Sequence, residues 1–160
     1  MKSIIMRLDY IRPFTDASNE ILQNYIKDGI KIGDITLKGD FVNASGIIAI
    51  VALSNDIVGH FIIDMELETA KKIVSIMNDR EIKDIDKLSL STIQELVNLI
   101  AGLAVTKLET DGYDVDISPP VIMKSKNLEV SISDSEFLHI KLDTSIGDFN
   151  ILVAVESEKE

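Results

Sequence analysis

The chain contains no cysteine. That absence excludes disulfides, thiol catalysis and thiolate metal sites, and it fits a reducing cytosol. Positive charge is scarce: 16 Lys and Arg stand against 27 Asp and Glu, for a formal net charge of -11. A field of that sign repels phosphate backbones and anionic lipid surfaces, so neither nucleic acid nor membrane is an expected partner. No apolar run approaches the roughly 20 residues that span a bilayer. The opening MKSIIMRLDYIRPF is interrupted by Arg7, Asp9 and Arg12, so it does not read as a signal peptide. Aromatic residues make up only 5% of the chain, against 46% hydrophobic residues in total. The core is therefore aliphatic, and the composition is that of a globular protein expected in the cytoplasm. A length of 160 residues suits one well-buried core, and the expectation is a single domain over 1–160.

Patterning divides the chain into two halves. Phe14, Ala17, Ile21 and Tyr25 recur at helical spacing, and Pro13 suits a first turn, which predicts a helix from Pro13 to Lys27. Three β-like runs follow, Ile35 to Val42, Ser45 to Leu53 and Ile57 to Met65, separated by Asn43-Ala44 and by Ser54-Asn55-Asp56. They read as an antiparallel meander. A short helix over Glu68 to Asn78 presents Ala70, Ile73, Val74 and Met77 on one stripe, and NDREIKDID is the loop after it. The longest helical pattern begins near Asp86 and stops at Asp111-Gly112. Beyond Ser118-Pro119-Pro120, strands are expected near Val121 to Lys124, Leu128 to Ile132, Phe137 to Leu142 and Phe149 to Val155, with the charged tail ESEKE frayed. Each half thus reads as a helix followed by a β-meander, an α+β protein.

Inside the longest helix stands ELVNLIAG, Glu95 to Gly102. At 100° per residue, Ile93, Val97, Ile100, Ala104 and Leu108 form a core stripe flanked by Leu96, Ala101 and Leu103. Ser91, Glu95, Asn98 and Gly102 fall on one line about half a turn away. Such polar pairs at i, i+3 are most often ordinary solvated residues, and spacing alone leaves that reading open. Asn, however, is a weak helix former, and a mid-helix Gly costs about 1 kcal/mol relative to Ala. With Leu99 beside it, the line reads as a sparse, partly apolar face on which another protein docks. A neutral amide cannot be a general base, but it can position water toward a reactive electrophile such as an acyl phosphate. Glu95 could pair with a partner's lysine and set the register.

The run LSLSTIQELVNLIAGLAVTKLETDGYDVDISPPVIM resembles the CheC/CheX/FliY family of chemotaxis phosphatases, and most closely its CheX members. The family's Glu-x-x-Asn signature falls on Glu95 and Asn98, with the accompanying Gly at Gly102. Leu88 to Ser91, Gly112 to Ile117, Pro119-Pro120, Gly59 and Glu68 to Met77 extend the likeness. Leu103 departs from the polar residue common after that Gly, and Ser125 from the Gly often found after the Pro-Pro strand. The resemblance implies a curved antiparallel sheet with long helices packed on it, and hydrolysis of the aspartyl phosphate of a CheY-like receiver. In that reading Asn98 orients the attacking water and Glu95 pairs with the receiver's lysine, while Ser91, Leu99 and Gly102 meet the partner. It further implies a homodimer and no cofactor of the chain's own, the Mg2+ belonging to the receiver. Some relatives carry the motif twice, and Asp16 and Asn19 have the same spacing on the first helix. There Gln23 replaces the Gly and Asp reaches less far than Glu, so a single site is expected.

Other candidates read more simply. His60 and His139 lie far apart without a converging carboxylate pair, which points away from a metal centre. Gly29, Gly33, Gly39 and Gly46 make no phosphate-cradling motif. Asp84 and Asp86 suit a solvated loop and a helix cap. Two other functions fit the same residues: a non-catalytic receiver-binding adaptor or switch module, and a structural, self-associating domain.

Overall fold

A computed structural model describes residues 4–39, 41–125, 127–131 and 136–158. The element order is α1(Ile4–Gln23), β1(Lys31–Ile32), β2(Thr36–Lys38), β3(Phe41–Asn43), β4(Gly46–Asn55), β5(Ile57–Glu66), α2(Leu67–Asn78), α3(Lys87–Thr110), β6(Val115–Ile117), β7(Val121–Lys124), β8(Glu129–Ser131), β9(Phe137–Thr144) and β10(Gly147–Glu158). Among the described residues, eight strands form one sheet whose main order is β1-β9-β10-β5-β4-β6, with β2 on β9 and β7 on β4. Every pairing is antiparallel, and β3 and β8 make a separate two-stranded ribbon.

Alternation decides which side each residue takes. Ile47, Ala49, Val51 and Leu53 of β4, Phe61, Ile63 and Met65 of β5, and Ile151 and Val153 of β10 pack against all three helices. Ile48, Ile62, Leu152 and Ala154 point to the other side, where Val42, Ala44 and Val130 cover them. The central strands are therefore apolar on both faces, so the runs in β4 and β5 read as almost continuous. Phe14 and Phe61, with ring centroids 4.6 Å apart, join α1 to β5. Such a pair contributes about 1 kcal/mol beyond its buried area.

The α+β class and the antiparallel sheet agree with expectation, but the two meanders do not form. The segment expected as one strand from Ile35 to Val42 divides into β2, which pairs with β9, and β3, which pairs with β8. Strands of the second half likewise add to the first: β6 and β7 both pair with β4. Two hairpins remain of the expected order, β4–β5 and β9–β10. The first turns through Asn55, whose φ of 85° is the left-handed conformation that Asn tolerates.

Helix α1 also differs, running from Ile4 with Pro13 in its interior. Buried Tyr10 and Ile11 extend its apolar face past the expected start, and that burial offsets the missing Pro13 N–H. The helix stops at Gln23, before the expected Lys27. At the other end β10 pairs with β5 as far as Glu158, so most of the tail expected to fray is a strand. The expected end of one strand, Ile132, lies outside the described residues.

Candidate functional site

Helix α3 owes its position to its two ends. Asp86 caps it, its Oδ1 accepting from the Ser89 N–H and the Ser89 hydroxyl, both at 2.9 Å. Those bonds, led by the backbone one, hold the Asp86 carboxyl below its usual range. At the C-terminus Gly112 takes φ 95°, its N–H donating to the Glu109 carbonyl and the Tyr113 N–H to that of Leu108, each at 2.9 Å. This is a Schellman ending, with Gly where a left-handed residue is required. Between the ends, the whole predicted core stripe from Ile93 to Leu108 is buried. The expectation that no apolar segment reaches membrane length needs correction. By length and composition this helix of 24 residues is sufficient, with hydropathy 1.5 over its most apolar window. The apolar stripe from Ile93 to Leu108 faces the sheet and the other helices, so a helix of this composition serves as a core helix here, with Leu88 and Leu99 left outside.

On the opposite side, Ser91, Glu95 and Asn98 are exposed and Gly102 is half-buried. Among the described residues, neither Glu95 nor Asn98 makes a side-chain hydrogen bond or ion pair. A Cβ built on Gly102 meets nothing within 4 Å, so no internal contact requires glycine there. Leu99 is 41% exposed. The structure adds two residues not singled out for docking in the sequence, Leu88 at 52% and Val121 at 58% exposed. Leu88 lies two turns before Glu95 on the same face. Val121 is brought near by Gln94, whose amide donates to the Pro120 carbonyl at 3.2 Å and ties α3 to the Pro-Pro segment. An exposed, unpaired carboxylate and amide thus sit within a rim of aliphatic side chains.

The corresponding face of α1 is arranged differently. Asp16 is exposed and Asn19 half-buried, but the Asn19 Oδ1 accepts from the Gln23 amide at 3.2 Å. Lys107 of α3 pairs with Glu20 at 2.6 Å and lies within electrostatic reach of Asp16. The hydrogen bond that Lys107 donates to Glu20 is the main cause that raises its pKa. The two Glu/Asp-x-x-Asn spacings therefore occupy opposite situations, one open and one internally engaged.

His60 and His139 are both half-buried in strands. Among the described residues no three of His, Cys, Asp and Glu gather as a metal-binding group.

Comparison with known proteins converges on one family. The family model described as Chemotaxis phosphatase CheX matches residues 47–143. The CheY-P phosphatase CheX of Thermotoga maritima is 34% identical over 115 residues, covering 69% of this chain and 72% of that protein. The crystal structure of a CheX-CheY-BeF3-Mg2+ complex from Borrelia burgdorferi superposes with a TM-score of 0.80 at 31% identity, covering 92% of this chain and 98% of the other. The fold is also that of the chemotaxis protein CheX from Desulfovibrio desulfuricans, with a TM-score of 0.84 at 20% identity over 92% of this chain and 99% of that one.

Proposed function

The chain belongs to the CheX family of chemotaxis phosphatases, and we propose that it removes the phosphoryl group of a CheY-like receiver through the outward face of α3. The enzyme is a protein aspartyl-phosphate phosphatase. The Asn98 amide enters the receiver's site and holds water in line with phosphorus, its oxygen accepting a hydrogen bond from the water and leaving a water lone pair directed at the electrophile. The water attacks, the bond from phosphorus to the aspartyl oxygen breaks, and phosphate leaves the receiver's free carboxylate. Glu95 pairs with the receiver's lysine and fixes the register at which Asn98 arrives. Ser91, Leu99 and Gly102, with Leu88 and Val121, form the surrounding contact, and absence of a side chain at Gly102 lets the partner approach. The Mg2+ belongs to the receiver, and the chain acts in the cytoplasm as one domain with no cofactor of its own.

The observation that carries this reading is that the Glu95 and Asn98 side chains have no internal partner, beside a glycine that no internal contact requires. A residue pattern that weakens the helix without serving its own fold is accounted for by an external partner. We also propose a homodimer, for which Ile32 and Leu37, 45% and 46% exposed on edge strands, offer apolar surface. Sedimentation of the purified chain tests that assembly.

The catalytic reading is tested by adding the chain to a receiver phosphorylated with a small-molecule donor and following phosphate release. Acceleration by the wild type, loss with Asn98→Ala at retained receiver binding, and weakened binding with Glu95→Ala are expected. Equal acceleration by all three proteins overturns the assigned roles, and binding without acceleration by the wild type identifies an adaptor instead.

A further inference from the structure

The sheet face turned away from the helices carries a second polar feature. Its apolar centre is roofed by the β3–β8 ribbon. At one end of that roof a cavity of about 380 Å³ is lined by, among others, Lys38, Ser45, Asp64, His139, Asn150 and Leu152. Asp64 is only 3% exposed, yet the hydrogen bonds to its carboxylate come from a neutral residue. The Ser45 N–H donates to Oδ1 at 2.9 Å and the Ser45 hydroxyl to Oδ2 at 2.8 Å. A carboxylate buried this deeply is ordinarily paired with a cation, and no ion pair reaches it among the described residues. Burial pushes its pKa up, against the two Ser45 bonds. Because both contacts are donors, each oxygen keeps a lone pair for a further donor.

The neighbouring groups supply the opposite polarity. Asn150 stands across the strand pair from Asp64. Its Oδ1 lies 2.9 Å from His139 Nε2, which donates there in the Nε2–H tautomer, and burial favours the neutral imidazole. The Asn150 NH2 group is left as an uncommitted donor. Lys38 lies at the rim, within electrostatic reach of His139. A simple anion would meet the buried charge of Asp64, and a simple cation would meet Lys38. A molecule carrying both charges answers both, and Val42 and Leu152 offer it an apolar wall. The volume falls within the range of small-molecule sites, roughly 300–1,000 Å³.

We propose that this cavity binds an aliphatic α-amino acid, its ammonium against Asp64 and its carboxylate between the Asn150 amide and Lys38. The site lies on the opposite side of the sheet from α3 and stands independently of the phosphatase reading.

The test titrates the full chain with L-leucine and, in parallel, with its two halves, 3-methylbutylamine and 4-methylpentanoate. Nuclear magnetic resonance follows the Ser45 backbone amide and the Asn150 side-chain amide. Saturable shifts with leucine, binding at least about tenfold weaker for each half, and a loss of at least about tenfold in Asp64→Asn are expected. Lys38→Met, a change at an exposed position, weakens binding without disturbing the fold and keeps the test valid if Asp64→Asn folds poorly. Absence of saturable shifts at millimolar leucine overturns the proposal. So does equal binding by either half, or leucine affinity unchanged in both variants.

Discussion

Helices α1 and α3 carry the same spacing of acid and amide on outward faces, and the surroundings separate them. On α3, Glu95 and Asn98 have no internal partner, and the position one turn after the amide is a glycine with open space above it. On α1 the equivalent position is Gln23, which bonds Asn19, and Lys107 brings a cation to the acidic side. Spacing therefore identifies where a site could be built, and the engagement of the side chains distinguishes a face available to a partner from one the fold already uses.

The largest effect that could break this contrast is at the amides. Asn98→Ala should lower receiver-phosphate hydrolysis about a hundredfold or more, the scale of misplacing a reacting group. Asn19→Ala should leave the rate unchanged. If the two variants lose activity equally, engagement by Gln23 does not mark an inactive face. The acids should differ less. Glu95→Ala is expected to raise KM about tenfold, or about 1.4 kcal/mol, with a smaller change in kcat, and added salt should shrink the wild-type advantage. Asp16→Ala should alter neither parameter in the same steady-state assay.

How far the sequence anticipates this depends on the range of the interaction. Helix α3, its cap at Asp86 and its stop at Gly112 follow from local chemistry, and each stands where the pattern places it. Glu95, Asn98, Gly102 and Leu99 are legible as an outward line for the same reason. Strand pairing is set by contacts distant along the chain, so nothing between Ile35 and Val42 reveals that its two parts pair with β9 and β8. The length of α1 was obscured by Pro13, whose preference for a first turn gave way to the burial of Tyr10 and Ile11. Val121 escapes a helical wheel because the pairing of β7 with β4 and the bond from Gln94 to Pro120 bring it beside α3. Asp64 could have been noticed as a charge in an apolar β run, but its enclosure depends on Ser45 and on the ribbon.

The glycine offers a sharper contrast because stability and function should move in opposite directions. Gly102→Ala should stabilise the fold by about 1 kcal/mol, the propensity difference at an uncrowded helix position, and raise Tm. The same change should weaken receiver binding, because a methyl group now stands where the partner approaches. Gln23→Gly, at the last residue of α1, should cost less stability than Gly102→Ala adds and create no activity. Thermal unfolding alongside binding measurements decides the matter: a Gly102→Ala protein that is more stable and binds equally well removes the clearance role.

The smallest expected effect concerns the cation. Lys107 and Glu20 have side chains 31% and 55% exposed, so the pair is a partly solvated one. Lys107→Met should change stability by only about 0.5 kcal/mol. It nevertheless tests whether the ion pair keeps α1 from acting, because it releases Glu20 and removes the charge near Asp16. Placed in an Asn98→Ala background, Lys107→Met should restore no receiver-phosphate hydrolysis, since Gln23 still holds Asn19 and Asp16 still has the shorter reach. Recovered turnover in that double variant would mean that the Lys107 charge alone keeps a second site closed, and that α1 differs from α3 by one ion pair.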